Sequence, residues 1–353
     1  MTCDALRPPV RGVGRVCESL LAELGPAGAN VTPLDMERNE YATHLSGNSC
    51  EVLRAPIGPA KTARWYAGLL PRIRRRGYRH EVVLSTAGFP HVFGDDPRLA
   101  VFVHDLHMLE AGFYQRGKRA WFRAFLGRSL AHASLRICVS EHTRRELERH
   151  FPELDPQDNV VVHNAAPDTL GLGADPVPLG GGHHFLFVGQ LERRKNLMRL
   201  LDAYESSGVE TELHLVGRPG PGGDEILARA RRARGVHLHT EAPDALLRDL
   251  YRDARAVLIP SLAEGFGLPV VEAMRAGAPV LTSSGTALAE VAGDAALLVD
   301  PTDTDAIRAG IVALESNDAL RVDLAKRGTE RASAFTPQAQ ARALVAALEH
   351  KFG

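Results

Sequence analysis

Two glutamates, Glu264 and Glu272, are separated by seven residues and enclose the glycine-rich loop Gly265–Gly267 and the start of a predicted helix. Glycine lets the backbone approach a ligand closely, and the amides and dipole at a helix N-terminus favour an anion such as phosphate. Carboxylates accept hydrogen bonds and suit hydroxyl-rich ligands such as a sugar and a ribose. The segment therefore predicts a site for a phosphorylated, hydroxyl-bearing ligand.

A run of three cations, Arg193, Arg194 and Lys195, lies between a predicted strand and a predicted helix. Positive charge at the start of a helix opposes the helix dipole. An anionic ligand therefore explains the run better than exposure to solvent does. A guanidinium can hold a phosphate through two parallel hydrogen bonds, whereas the ammonium of Lys195 acts as a point charge.

The first half of the chain offers weaker candidates. His104 lies at the end of the predicted strand of residues 99–105. His104 and His107 could form a pair of metal ligands, but no third ligand is evident, so we predict no metal there. Gly14 belongs to a G-x-G run that precedes a predicted helix, which alone is a weak signal. Asp303 and Asp305 form a D-x-D sequence at the start of a late helix, where aspartate commonly caps the first turn.

Short apolar runs alternate with helical periodicities along the chain, which predicts βαβ units and parallel sheets covered on both faces. The predicted strands are residues 81–88, 99–105, 135–140, 159–164, 184–189, 211–217, 235–240, 255–260, 278–284 and 295–300. The predicted helices of the first half are Arg15–Leu24, Ala63–Arg75, Arg116–Ala133 and Thr143–Phe151.

A segment rich in glycine and proline (165–184) separates the two halves and has the composition of a linker. We therefore predict an N-terminal Rossmann-like domain at 1–166, a linker at 167–183 and a C-terminal domain at 184–335. A terminal helix follows at 336–353, with Thr336 as its N-cap and Pro337 at its first position. Ligands of open parallel sheets bind beyond the carboxyl ends of the strands, so we expect the site in a cleft between the domains.

Composition excludes several classes of protein. The 353 residues have a net charge of -1, whereas a dedicated nucleic-acid binder is usually basic. Apolar runs of about 18 residues are absent from the sequence, which argues against a membrane-spanning helix, and residues 1–30 lack the apolar core of a signal peptide. The cysteines, at positions 3, 17, 50 and 138, are far apart and predict reduced thiols in a cytoplasmic protein.

Basic charge is concentrated in two stretches of the first half. Residues 61–80 contain seven lysines and arginines, and residues 111–140 contain six, with no acidic residue in either stretch. Aromatic residues such as Trp65 and Trp121 lie among these cations. The stretches are interpreted either as solvated helix faces over a core or as a surface that contacts an anionic membrane.

The run from Glu264 to Val280 reads E-G-F-G-L-P-x-x-E-A-M-x-x-G-x-P-V and resembles the family 4 glycosyltransferases of the GT-B fold. The likeness continues through residues 288–307 and extends more weakly over residues 11–150. The resemblance implies two Rossmann-like parallel-sheet domains that face a cleft, with the C-terminal helix packing back on the N-terminal domain. The family normally shows a full strand before its glycine loop, so we expect a short first strand or a clipped start here.

The resemblance also implies roles for individual residues. His104, Glu264 and Lys195 would be catalytic. Lys195 matches the lysine that neutralises the donor diphosphate, but Gln190 stands where the family often has an arginine, so Arg193 or Arg194 would substitute. Residues placed at the donor by the resemblance are Gly14, Arg194, Lys195, Gly265, Phe266, Gly267, Leu268 and Glu272.

Some residues are assigned by position alone. Arg218 and the loop 240–243 are candidates for the nucleotide base, while Asp105 and the loop to Gln115 are candidates for the acceptor. Ser140 and Arg144 match a family stretch and would act as support residues. We expect no metal and no cofactor, because cations and amides neutralise the diphosphate in a GT-B enzyme and the nucleotide sugar is itself a substrate.

The sequence therefore predicts a retaining hexosyltransferase that uses a nucleotide-diphosphate sugar, with GDP-mannose first and a UDP-sugar next. A polysaccharide or lipid-linked glycan fits the basic first domain as the acceptor, and a small molecule is the alternative. The alternative is a catalytically silent nucleotide-sugar-binding subunit of a glycan-synthesis complex. A nicotinamide dehydrogenase is set aside because G-V-G-R-V-C lacks the third glycine of the dinucleotide fingerprint.

Overall fold

The computed structural model describes residues 13–30, 34–35, 51–52, 82–85, 98–173 and 182–353. The chain divides into two compact units: Met1–Pro167 together with Pro337–Gly353, and Asp168–Thr336. Each unit contains a parallel sheet with helices between its strands. The prediction of two Rossmann-like parallel-sheet domains is confirmed.

The first unit has a four-stranded parallel sheet in the order β3-β4-β5-β6 and a separate two-residue pair, β1 with β2. Every residue of β4 and β5 is buried, as expected when helices cover both faces of a parallel sheet. The strands are β1 Leu34–Asp35, β2 Glu51–Val52, β3 Val83–Ser85, β4 Leu99–Val103, β5 Leu135–Cys138 and β6 Asn159–Val161. The helices are α1 Val13–Leu24, α2 Arg116–Ala131 and α3 Glu141–His150.

The last helix of the chain, α11 (Pro337–Phe352), packs against α1 in the first unit. Gln338 donates from Nε2 to Oε1 of Glu23 at 2.7 Å. The buried side chain of Gln340 accepts the backbone N–H of Ala165 at 3.3 Å. The expected return of the terminal helix to the N-terminal domain is therefore confirmed.

The second unit is built on a six-stranded parallel sheet in the order β12-β11-β10-β7-β8-β9. Its strands are β7 His184–Val188, β8 Leu213–Val216, β9 Val236–His239, β10 Ala254–Ile259, β11 Val280–Ser283 and β12 Leu297–Val299. Its helices are α4 Leu197–Ser207, α5 Gly223–Ala230, α6 Asp244–Arg252, α7 Leu268–Arg275, α8 Ala287–Ala292, α9 Thr304–Ser316 and α10 Asp318–Ala332. Alternate side chains such as Phe185, Phe187, Leu213 and Leu215 form the core on one face of the sheet.

Local boundaries differ from the sequence predictions for physical reasons. Helix α3 begins at Glu141 rather than Thr143, because the Oγ of Ser140 accepts the N–H of Thr143 at 3.0 Å and caps the helix. Helix α1 begins at Val13 rather than Arg15, so Gly14 lies in its first turn and not before it. The predicted helix Ala63–Arg75 and the basic stretch 61–80 lie outside the described residues.

The close approach of two strand ends depends on Gly217. An added Cβ at Gly217 would lie 1.8 Å from the carbonyl oxygen of Gly189, and Gly189 immediately follows β7. A side chain there would push the backbone of residues 189–190 away from β8, at the start of the segment that leads to Lys195.

We expect Gly217→Ala to lower the free energy of unfolding by about 1–3 kcal/mol, because overpacking forces the backbone to shift. Equilibrium urea unfolding measures this change. Gly117→Ala is the control, because a Cβ added at Gly117 would meet no neighbouring atom within 4 Å and the residue is exposed in the first turn of α2. Equal stability of both variants would contradict the steric argument.

Candidate functional site

The second unit places two cations on one carboxylate. The Nζ of Lys195 donates to Oε1 of Glu264, and Nη1 of Arg194 donates to Oε2 of Glu264 at 2.6 Å. The side chains of Lys195 and Glu264 are each 9% exposed. The sequence predicted both residues for one site, and the structure shows that they form a direct ion pair there.

The order of the strands brings these side chains together. The chain runs from β7 outward to β8 and β9, then returns to β10 on the other side of β7 and continues to β11 and β12. The strand order therefore reverses between β7 and β10. Lys195 lies on the segment after β7 and Glu264 on the segment after β10, so both lie beyond the carboxyl ends of neighbouring strands, where ligands of open α/β sheets bind.

Electrostatics keep Glu264 ionised. Burial raises the pKa of Glu264, but the charges of Lys195 and Arg194 outweigh it and hold the pKa below its usual value. Arg194 is shared with a second carboxylate, because its Nη2 donates to Oε1 of Glu192 at 2.7 Å. The four side chains carry two positive and two negative charges.

Asn196 fixes the turn that carries the cations, and the sequence reasoning missed it. It has a left-handed backbone (φ 62°), a conformation that asparagine tolerates better than most residues. Its buried Nδ2 donates to the carbonyl oxygens of Pro260 at 2.9 Å and Pro301 at 2.7 Å. Asn196 therefore ties the Arg193–Lys195 turn to the chain beyond β10 and β12. The asparagine directly before a predicted helix was the available signal.

The loop after Glu264 is held by a buried aromatic ring and a glycine. Phe266 is buried and packs edge-on against Phe335, with ring centroids 5.5 Å apart. Gly267 has a φ of 103°, and a Cβ there would lie 2.2 Å from Cδ2 of Leu288. Only glycine fits this position without displacing Leu288. Since the side chain of Phe266 is in the core, its backbone is what it can offer to a ligand.

Helix α7 begins at Leu268, with Pro269 in its first turn as predicted. Glu272 lies one turn later, and its Oε2 accepts a hydrogen bond from the hydroxyl of Tyr251 at 2.8 Å. Tyr251 is fully buried in α6, so its hydroxyl fixes the orientation of the Glu272 carboxylate. No feature of the sequence indicated this partner, because α6 and α7 are separated by a strand.

The two arginines proposed to replace the missing family arginine occupy different environments. Arg194 lies in the buried cluster, whereas the side chain of Arg193 is 69% exposed and lies 3.5 Å from Glu225. Gln190 is exposed, and its side chain covers Gly220, where an added Cβ would lie 2.6 Å from Nε2 of Gln190. Of the two arginines, Arg194 is the one that contacts Glu264.

Two of the predicted residues, His104 and Gly14, lie in the first unit. His104 follows β4, is half-buried and stacks on Phe102 with ring centroids 5.8 Å apart. Gly14 is buried within the first turn of α1, and its expected position in a loop before the helix is wrong. A glycine costs up to about 1 kcal/mol inside a helix, and the burial of the apolar face of α1, which includes Leu20 and Leu24, offsets this cost.

Other candidates have local structural roles. Arg144 pairs with Glu141 and Glu148 on its own helix. His107 Nδ1 lies 2.5 Å from Oδ1 of Asp105. The loop candidates Arg218 and Glu241 form an exposed ion pair at 3.1 Å.

The D-x-D sequence lies at the N-terminus of α9. Asp303 caps this helix by accepting the N–H groups of Asp305 at 2.8 Å and Ala306 at 3.1 Å. The structural interpretation of this sequence is confirmed.

Comparison with family models covers both units. Residues 179–331 match the model described as glycosyl transferases group 1, and residues 10–169 match the model described as Glycosyltransferase Family 4. The two matches cover the Glu264 loop and α1, respectively.

Several curated relatives carry mannosyltransferase names. The O-antigen chain mannosyltransferase B of Escherichia coli is 33% identical over 256 residues, which cover 68% of this chain and 67% of that protein. The MMP alpha-(1->4)-mannosyltransferase of Mycolicibacterium hassiacum is 36% identical over 44% of this chain and 40% of that protein. The phosphatidyl-myo-inositol mannosyltransferase of Mycobacterium leprae is 31% identical over 63% of this chain and 58% of that protein.

Solved structures share the fold at low identity. Anabaena HepE, solved in complex with UDP and glucose, matches with a TM-score of 0.74 and 15% identity over 99% of this chain and 98% of that chain. WaaG, a glycosyltransferase involved in lipopolysaccharide biosynthesis, matches with a TM-score of 0.69 and 18% identity over 95% of each chain.

We expect Glu264→Gln to lower the free energy of unfolding at pH 7 by about 3 kcal/mol, because it leaves the buried ammonium of Lys195 without its carboxylate and Arg194 with Glu192 as its remaining partner. The unfolded state protonates this glutamate near pH 4.5, ahead of the folded state, so the stabilisation is lost as the pH falls below that value. The difference in free energy of unfolding between the variant and the wild type should therefore be smaller at acid pH.

Equilibrium urea unfolding at pH 7 and at pH 4 measures the free energy of unfolding of the variant and of the wild type. Glu210→Gln is the control, because Glu210 is exposed in the same unit. A Glu264→Gln variant as stable as wild type at pH 7 would show that the ion pair contributes nothing.

Proposed function

Because this chain belongs to the family 4 glycosyltransferases and has their GT-B fold, we propose that it transfers a hexose from a nucleotide-diphosphate sugar with retention of configuration. GDP-mannose is the first candidate donor and a UDP-sugar the second. The relatives that carry mannosyltransferase names support mannose. The observation that carries the proposal is the buried cluster of Lys195, Arg194 and Glu264 beyond the strand ends of the second unit.

The cations are proposed to bind the donor diphosphate. An ammonium has three hydrogen-bond donors, and Glu264 accepts only one of those of Lys195. Arg194 adds a guanidinium that is already oriented by Glu192 and Glu264. The amides of Gly265–Leu268 stand at the start of α7, where the helix dipole favours an anion. Because the helix-start amides and the remaining donors of Lys195 supply hydrogen bonds to the diphosphate, we propose no metal and no cofactor for it.

The two glutamates are proposed to recognise hydroxyls. Glu264 would accept hydrogen bonds from the transferred sugar while its charge keeps Lys195 and Arg194 in place. Glu272 would accept from the ribose of the nucleotide, and the hydroxyl of Tyr251 fixes its orientation. A carboxylate held in this way loses little conformational entropy when the ligand binds.

In the proposed reaction the acceptor hydroxyl attacks the sugar carbon on the face from which the nucleotide diphosphate leaves. The departing phosphate oxygen takes the proton of that hydroxyl. Lys195 and the amides near Gly267 stabilise the negative charge that grows on the diphosphate, which is preorganised electrostatic catalysis. His104 would contact the sugar near its reacting carbon, as the family resemblance implies.

The acceptor is proposed to be a glycan or a lipid-linked glycan, with a small molecule as the alternative, reached at the inner face of the membrane. No helix among the described residues is long and apolar enough to cross a bilayer. Helix α2 instead presents Trp121, which is 58% exposed and stacks on Phe125 at 5.3 Å. Arg116, Lys118 and Arg123 are exposed on the same helix. An exposed tryptophan among cations suits peripheral contact with anionic lipid.

A catalytically silent nucleotide-sugar-binding subunit is the second candidate. Gln190 favours it, because it replaces an arginine that the family often uses at the diphosphate. Both candidate functions require the donor to bind at Lys195, but only the transferase turns the donor over.

We expect calorimetry of the wild-type chain to show GDP binding more tightly than UDP or dTDP, and Lys195→Met to weaken GDP binding at least tenfold. The lost charge–phosphate contact is the reason. Lys326→Met is the control, because Lys326 is exposed on α10. Release of GDP from GDP-mannose by the wild type separates the enzyme from the silent subunit. Full GDP affinity in Lys195→Met would contradict the proposed site.

We expect the wild-type chain to co-sediment with phosphatidylglycerol-containing vesicles at low salt, with Trp121→Ala reducing the bound fraction severalfold. Burial of the indole in the interface and cation attraction to lipid both contribute. Val322→Ser, on an exposed apolar residue of α10, should bind like the wild type. Binding that is equal in both variants would exclude α2 as the membrane contact.

A further inference from the structure

One face of the second sheet carries a group of imidazoles that the proposed reaction does not use. Strand β8 pairs with β7 and β9 in parallel register, with His214 opposite Leu186 and His237. Because side chains alternate along a strand, the polar residues of these strands share the face opposite the apolar core. They are Glu212 just before β8, His184 on β7, His214 on β8, and His237 and His239 on β9.

His214 stands at the centre of this group. Its ring centroid lies 4.5 Å from that of His184, 4.8 Å from that of His237 and 5.2 Å from that of His239. The Oε1 of Glu212 lies 3.1 Å from Nε2 of His237. One carboxylate and several imidazoles therefore converge on one small volume.

We propose that Glu212, His214 and His237 bind a divalent transition-metal ion, with Zn²⁺ as the best match. The ligand atoms of these three residues all lie within 4.8 Å of one another. Zinc bonds to histidine nitrogen and carboxylate oxygen are about 2.0–2.2 Å long, so ligand atoms on opposite sides of the ion stand roughly 4 Å apart at most. Small side-chain rotations are enough to close the site.

The neighbouring histidine supplies the partner that a metal-binding imidazole needs. A metal-ligating histidine normally donates its second ring N–H to an acceptor, which fixes its orientation. Nδ1 of His214 already lies 3.0 Å from Nε2 of His239. Coordination through Nε2 of His214 thus leaves Nδ1–H to donate to His239. On the other side, His184 donates from Nε2 to the carbonyl oxygen of Leu250 at 3.0 Å.

A second group of two glutamates and a histidine among the described residues is less suited to bind a metal. Glu110, Glu146 and His150 also lie close together, but Nη2 of Arg149 donates to both Glu110 and Glu146. That guanidinium already neutralises the carboxylates. The described contacts of Glu212, His214 and His237 include no lysine or arginine.

The position of the site indicates a structural metal. Glu212, His214 and His237 lie at or near the amino ends of β8 and β9, whereas Lys195 and Glu264 follow the carboxyl ends of β7 and β10. Strand β9 is the edge of the sheet. A metal held by one residue of β9 and two from the β8 segment would fasten this edge strand to the rest of the sheet.

Calorimetric titration of the metal-stripped full-length chain with ZnCl₂ at pH 7.5 tests the site, with MgCl₂ as the hard-cation comparison. We expect one zinc site that His237→Gln and Glu212→Gln each weaken at least tenfold, and no comparable binding of magnesium. Both residues are exposed, so their variants should fold. His350→Gln is the matched control, because His350 is exposed on α11, and should bind zinc like the wild type.

Hydrogen exchange locates the ion independently of affinity. Zinc should slow exchange of the β9 amides (236–239) in the wild type and leave them unchanged in His237→Gln. Wild-type zinc affinity in both variants, or tight zinc binding without added protection of β9, would overturn the proposal. Neither measurement involves sugar transfer, so the outcome is independent of the proposed function.

Discussion

The carboxylate of Glu264 between Lys195 and Arg194 is the interaction on which the candidate site depends. Charges this deeply buried are stable only when they are paired and hydrogen-bonded. The pairing requires the segments after β7 and β10 to lie side by side, which the strand order of the second sheet provides. Asn196 then holds the turn through Pro260 and Pro301. Sheet topology and a few buried polar contacts thus set the positions of the charged groups.

The sequence was sufficient for the fold class, and it indicated the segments that carry Lys195 and Glu264, because both leave local signals. Alternating apolar runs identify parallel strands, and a glycine-rich loop before a helix identifies the segment from Glu264 to Glu272. The ion pair between Lys195 and Glu264 joins residues 69 positions apart and depends on which strands are neighbours. The hydrogen bond from the hydroxyl of Tyr251 to Glu272 likewise depends on which strands are neighbours. Periodicity does not encode strand order, so these contacts appear only in the structure.

The predicted position of Gly14 was wrong because a local signal was given too much weight. A glycine before an apolar period looks like a loop, since glycine disfavours helix by about 1 kcal/mol. In the structure, the apolar face of α1 packs in the first unit, and α11 contacts the same helix. Tertiary burial outweighs the propensity of one residue. The clustering of His214 with its neighbours was missed for a different reason, because it depends on the pairing of β7, β8 and β9, which periodicity does not encode.

The charge balance of the cluster constrains how an anion can bind there. Glu192, Arg194, Lys195 and Glu264 together are neutral, so a diphosphate does not meet an excess of positive charge from these four residues. In the proposed function, the charge of the diphosphate is therefore offset by the N–H groups and dipole at the start of α7 and by the remaining donors of Lys195. Glu264 therefore has two effects. It keeps Lys195 and Arg194 ordered, and its negative charge lowers their net attraction for an anion. The proposed function therefore predicts a preference for a ligand with both a diphosphate and hydroxyls, because the hydroxyls offer Glu264 hydrogen bonds that a simple phosphate lacks.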